Sequence, residues 1–296
     1  LISLQGAYDL HVHSAPCLFP RIATDLEVVE AAQGAGLAGV CLKSHHESTV
    51  GRAAVVNAAL HSRYERPAHA YGSITLNHAV GGINPVAVEA ALKTGAAMVW
   101  MPTVDSLAHE KAFGHTGGWD VQGTDYRLAR PTPLSVLEDG KLTRAAHEIL
   151  SLCKFYGVAL GTGHLGAEEI FALARAAQGE GFPWLVVTHP LFRVPRLAMS
   201  EIAELAMMNV WVEFTYCSLS PMWRHTTVEE TVAAIREVGV ERAFLSSDGG
   251  QIHNPMPHEG LRLMAQMCLE AGVTEPKVMR MISEAPAAII AGGRSQ

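Results

Sequence analysis

Short apolar, β-branched runs recur along nearly the whole chain at intervals of about thirty residues, the length of one β-α unit, and helical patterns separate them. The runs are AYDLHVH, AGVCLKSH, HAYGSITLN, AAMVWMPT, VALGTGHL, WLVVTH, VWVEFTY and RAFLSSD, starting near residues 7, 38, 69, 96, 157, 184, 210 and 243. Intervening segments such as DLEVVEAAQGAG, RAAHEILSLCKFYG and VEETVAAIREVG end on glycine, as helix C-termini do. Eight such units in 296 residues predict one (β/α)8 TIM-type barrel over 1–296, with room for distortion. A doubly wound open sheet is the structural rival, but no GxGxxG or phosphate loop follows the first strand.

One interval is doubled. Between MPT and VALG runs a segment rich in Gly, Asp, Thr and Pro, from Val104 to Lys141. It is a long excursion on the fourth βα connection, and it reads as a lid or as a tolerated surface insertion. A lid is the expectation, because βα loops surround a barrel's active site. Trp119, Tyr126 and Arg130 are its candidates for closing over a small ligand.

The net charge of −7 argues against a nucleic-acid partner, which would require a basic face. No apolar run of roughly 18 residues is present to span a membrane. The first residues lack a basic stretch followed by an apolar one, and the chain starts at Leu1. Five scattered cysteines, never spaced as CxxC, fit a reduced, cytoplasmic compartment better than a disulfide framework.

Fifteen histidines are many for this length, and their placement carries the argument. A barrel presents its catalytic residues at the C-terminal ends of its strands. Strand one ends in His11 and His13, a pincer whose imidazoles share one face. Strand two ends with Lys43, His45 and His46, strand five with His164, strand six with His189 and strand eight with Asp248. A single strand-end histidine is usually a satisfied polar residue. Imidazoles converging from four strands beside a carboxylate would lose several kcal/mol on burial unless something paired them. A divalent cation is the natural partner, Zn²⁺ first, with Mn²⁺ or Fe²⁺ alternatives and one or two ions.

The set HxH at His11 and His13, then His164, His189 and Asp248, resembles the amidohydrolase superfamily of metal-dependent barrel hydrolases. That resemblance implies the barrel, a metal held by these residues and a hydrolytic reaction. A second segment, GLAGVCLKSHH, is similar to the strand-two motif of the polymerase-and-histidinol-phosphatase family, and it implies His45 as a ligand. The VVTHP and SSD strand ends are also similar to that family's. Neither pattern is complete. Strand four, AAMVWMPT, carries no lysine of the kind many amidohydrolases carboxylate, and YGSITLN lacks the phosphatase family's bridging glutamate. The histidine that normally follows that family's aspartate two residues on is also missing from SSDGG. A second ion would need His45, Lys43 or Glu213.

Such an ion lowers the pKa of bound water from near 16 to about 7 and polarises a carbonyl or phosphoryl oxygen. Asp248 is the expected proton shuttle as well as a ligand. Lys43 either faces the metal, holding an anionic substrate or stabilising an oxyanion, or points outward between helices. His46, Asn77, His78, Arg193 and Glu213 are the candidate substrate contacts, with Arg21 and Arg196 also on βα loops. His61, His69, His147 and His225 read as bystanders. The expected function is metal-dependent hydrolysis of a C–N or C–O bond in a small amide, cyclic amide, ester or lactone. A phosphatase-family phosphoesterase or a metal-dependent decarboxylase or hydratase is the alternative chemistry, and a non-catalytic metal-binding barrel the alternative class. A homo-oligomer is left open.

Overall fold

The computed structural model describes residues 1–119 and 132–293. Eight strands run parallel in chain order: β1 Tyr8–Val12, β2 Gly39–Leu42, β3 in two pieces (His69–Tyr71 and Ser73–Thr75), β4 Met98–Trp100, β5 Ala159–Gly161, β6 Leu185–Val187, β7 Trp211–Thr215 and β8 Ala243–Ser246. The first piece of β3 pairs with β2 and the second with β4. The break falls at Gly72, where a Cβ would lie 2.4 Å from the Val50 Cα, so only glycine lets the helix Val50–His61 seat against the sheet. The ring is completed at the seam between β8 and β1. There Val12 bridges Gly249, the His13 N–H donates to the Gly249 carbonyl at 2.8 Å, and the buried Asp9 carboxylate accepts from the Ser247 N–H at 3.0 Å. This is a distorted (β/α)8 barrel, as the thirty-residue period predicts.

Helix boundaries follow local chemistry. The helix Asp25–Ala35 starts on Thr24, whose side chain forms a capping box with Glu27, and it stops on left-handed Gly36. Arg144–Tyr156 and Ala167–Glu180 stop on Gly157 and Gly181 in the same way. Leu10, Cys41, Met98, Trp100, Val186 and Phe244 form a buried cluster distinct from the larger core between strands and helices. Ile289 of the C-terminal helix Glu284–Ala291 joins that cluster. Trp100 fits because residue 161 is glycine, where a Cβ would fall 2.4 Å from the indole ring.

Two features depart from the simple strand pattern. The register of β1 against β2 shifts between Asp9 and Val12. This bulge puts Leu10 into the buried cluster and still brings His11 to the barrel mouth, which strict alternation would forbid. The excursion after β4 has its two described ends paired through a bridge between Ser106 and Leu134. It contains a capped helix, Leu107–Phe113, and a hairpin of Leu137–Glu138 with Lys141–Leu142. Its beginning delivers Trp119 to the barrel mouth, while its end docks through the Val136 N–H on Glu169 at 3.1 Å. Tyr126 and Arg130 lie outside the described residues.

Candidate metal centre

Five histidine rings form a closed circle at the C-terminal rim. Their neighbouring centroids are separated by 5.3 Å (His11–His13), 4.7 Å (His13–His45), 6.4 Å (His45–His164), 5.2 Å (His164–His189) and 5.9 Å (His189–His11). All five are buried, and all line one cavity of about 270 Å³ together with Lys43 and Asp248.

Hydrogen bonds behind the rings set which nitrogen faces inward. His11 Nδ1–H donates to the Glu213 carboxylate at 3.1 and 3.2 Å, and Glu213 also accepts from Ser246 Oγ at 2.6 Å. His13 Nδ1–H donates to the Lys43 carbonyl at 2.9 Å. His45 Nδ1 shares a hydrogen bond with Thr103 Oγ1 at 2.8 Å, a hydroxyl that also accepts from Asn77 Nδ2. His109 donates from Nε2 to the Gly118 carbonyl at 2.8 Å, so its Nδ1 accepts from His164 Nδ1–H at 3.0 Å. His11, His13 and His164 therefore spend their Nδ1–H outward and keep the Nε2 lone pair. The His189 Nδ1 is buried with no partner among the described residues.

The inward lone pairs meet at one corner. Asp248 Oδ1 lies 3.1 Å from His11 Nε2 and 3.2 Å from His13 Nε2, and the ligand atoms of the three residues lie within 4.8 Å of one another. These are not ordinary ion pairs. Burial pushes the His11 pKa down to about 3, against the pull of Asp248, and holds His13 well below its usual range. Neutral imidazoles already using Nδ1–H have nothing to donate to Asp248, so three acceptors face one another with the Lys43 ammonium on one of them, an arrangement that a divalent cation between them would complete. Separations of 3.1–3.2 Å are about what two ligands span when each binds one ion at roughly 2.0–2.2 Å. The donor set fits a divalent metal. Lys43 Nζ, 2.9 Å from His11 Nε2 and 4.6 Å from the centre of the Trp100 ring, is the positive charge closest to this corner among the described contacts. Burial lowers its pKa to about 8, opposed by the Asp248 and Glu213 carboxylates. The same burial raises Asp248 and Glu213, with the His11 and Lys43 charges pulling Asp248 back.

The structure brings His11, His13, His45, His164, His189, Lys43 and Asp248 to one cavity, and Lys43 faces inward. It does not bring the expected substrate contacts there. Glu213 stands behind His11, fully buried. Asn77 clamps the rim from beneath, donating to the His45 carbonyl at 2.9 Å and to Thr103 Oγ1 at 2.7 Å. His78 reaches the Thr132 carbonyl, and Arg193 lies over Phe113 with Nη2 on the Ala112 carbonyl at 2.6 Å. His46 packs on Phe19 outside the cavity lining, as the alternation with inward His45 requires. Gly250 admits the neighbouring backbone: a Cβ there would sit 1.8 Å from the His13 carbonyl oxygen. Sequence reasoning missed His109 and the cavity walls Phe19, Phe192 and Trp223. Aromatic residues on the loops after strands one, six and seven were the available signal.

Residues 6–213 match a protein family described as "Family of unknown function (DUF6282)", and the chain belongs to it. The sequence matches none of the curated proteins. Among solved structures, an amidohydrolase from Pseudomonas aeruginosa superposes with a TM-score of 0.63 at 14% identity, over 97% of this chain and 96% of that one. A metallopeptidase described as dipeptidase AC gives 0.66 at 13% identity, over 98% of both chains. A putative 2-pyrone-4,6-dicarboxylic acid hydrolase from Pseudomonas putida gives 0.53 at 16% identity, over 99% and 100%. The chain shares its barrel fold with these proteins.

Proposed function

We propose that this member of the DUF6282 family is a metal-dependent hydrolase that cleaves a C–N or C–O bond of a small molecule. The observation that carries the reading is the corner where the Nε2 lone pairs of His11 and His13 converge on Asp248 Oδ1 while both Nδ1–H groups are spent elsewhere. The folds it resembles belong to proteins described as an amidohydrolase, a dipeptidase and a 2-pyrone-4,6-dicarboxylic acid hydrolase. A dipeptide is joined by an amide and a 2-pyrone is a cyclic ester, so these two bond types come first.

His11, His13 and Asp248 would hold the ion, with His189 next on the rim. A bound divalent ion supplies a Lewis acid and makes water acidic enough to react near neutral pH. Glu213 keeps His11 in the tautomer that offers Nε2, and the Lys43 carbonyl does the same for His13. Asp248, through its second oxygen, takes a proton from the attacking water and returns it to the leaving nitrogen or oxygen. Lys43 carries the positive charge that faces negative charge developing on the substrate carbonyl oxygen. Phe19, Trp119, Phe192 and Trp223 exclude bulk water.

The test is a panel of dipeptides, N-acyl amino acids, cyclic amides and lactones presented to metal-loaded protein, to chelator-treated protein and to Asp248→Asn. The reading expects turnover that chelation abolishes and that Asp248→Asn lowers by about 10²–10⁴. Turnover untouched by both treatments, or metal-loaded protein inert to all four classes, overturns it.

A further inference from the structure

Arg21 stands in the loop between β1 and the helix Asp25–Ala35, and it lines the same cavity as the histidines. Its backbone bridges Gln251, and the neighbouring Ile22 N–H donates to the Gly250 carbonyl at 2.9 Å, so it is pinned beside the strand-eight loop that carries Asp248. Its Nε and Nη2 atoms are shielded from solvent and have no hydrogen-bond partner among the described residues. Those two atoms form the edge of the guanidinium whose N–H bonds point the same way, the fork that grips a two-oxygen anion side-on. Shielded, unpaired guanidinium donors are unfavourable in a folded chain unless a ligand completes them. Asp248, on the adjoining strand-eight loop, makes no ion pair with it among the described residues and turns its Oδ1 to His11 and His13 instead.

The rest of the cavity describes what is attached to that anion. Phe19 lies under the guanidinium, its ring centre 5.7 Å from the Arg21 Cζ. Phe19 contacts Trp119 (5.1 Å), Trp119 contacts Trp223 (6.2 Å) and Trp223 contacts Phe192 (5.9 Å), an unbroken aromatic wall. The volume of about 270 Å³ sits at the lower end of small-molecule sites.

We propose that Arg21 is the carboxylate receptor of this cavity, so that the substrate is a small monocarboxylate with an apolar or aromatic body. The proposal takes from the functional reading only that this cavity is the substrate site. One guanidinium balances the single charge of a carboxylate, whereas a phosphoryl dianion would keep a second negative charge beside Asp248.

The probes are phenylacetate, its neutral amide phenylacetamide, and phenylphosphonate, titrated by calorimetry into metal-loaded and metal-stripped protein. Binding rather than turnover is read, so a failed hydrolase reading leaves this result intact. Stripped protein removes direct ligation of the probe by the ion. In both forms, wild type should bind phenylacetate about ten- to a hundredfold more tightly than phenylacetamide. Arg21→Gln should abolish that preference with metal content unchanged, and Arg21→Lys should restore part of it. Equal affinity for acid and amide in wild type, or a preference that survives Arg21→Gln, overturns the proposal. Preference for phenylphosphonate over phenylacetate overturns the carboxylate assignment.

Discussion

Glu213→Gln isolates the contribution of the residue behind the metal corner. Glu213 takes the His11 Nδ1–H on both oxygens, at 3.1 and 3.2 Å, and the Ser246 hydroxyl at 2.6 Å. An amide of the same shape keeps one acceptor, but its NH₂ group must then face a donor, and the negative charge that makes His11 more basic is gone. Loss of such an outer partner weakens metal binding by about 10–100-fold, or about 1.4–2.7 kcal/mol. Stability should move the other way or not at all, because burial already disfavours the Glu213 carboxylate and a neutral amide escapes that penalty. The assay is competition for Zn²⁺ against a chromophoric chelator, paired with urea unfolding of the metal-free proteins. Metal affinity within twofold of wild type would refute the argument. So would weakened binding that merely tracks a loss of fold.

Three further outcomes are expected. His109→Ala removes the acceptor of His164 Nδ1–H, so the His164 ring should change from a pure Nδ1–H tautomer to a mixture, read directly from ¹⁵N shifts. Gly250→Ala places a Cβ 1.8 Å from the His13 carbonyl oxygen at a residue with φ of 117°; it should lower the unfolding free energy by about 3 kcal/mol or more, measured in urea. The metal-free protein should lose stability as pH falls from about 6.5 toward 4. Burial depresses His11 and His189 to about 3 and holds His13, His45 and His164 well below 6.5, so the unfolded chain binds those five protons first. Asp9, raised to about 7, and the raised Asp248 and Glu213 oppose with three. The five prevail, at about 1.4 kcal/mol per unbalanced proton per pH unit, and urea midpoints at pH 7, 6 and 5 check the direction.

The barrel and the gathering of its strand-end histidines were legible because both depend on local pattern. A strand start every thirty residues and an HxH at a strand end are visible within a few residues of chain. The bulge in β1 was not, since it answers to the register of β2 and to the need for Leu10 inside the barrel. Glu213 read as a substrate contact because its strand position is inward; that His11 would cover it depends on two strands 202 residues apart. Asn77 and Arg193 sit on rim loops as expected, but a loop side chain's direction is set by its backbone partners, here the His45 and Ala112 carbonyls. His109 hid in an ordinary helical pattern, and only its approach to His164 gives it a role.

The central claim, a divalent ion at the convergence of His11, His13 and Asp248, is tested most directly by anomalous diffraction from crystals of zinc-replete protein collected on both sides of the zinc edge. A peak bonded to Nε2 of His11, Nε2 of His13 and a carboxylate oxygen of Asp248, with Lys43 Nζ displaced from His11, is the result predicted. Zinc-replete crystals with no peak at that corner, and the Lys43 ammonium still on His11 Nε2, would contradict it.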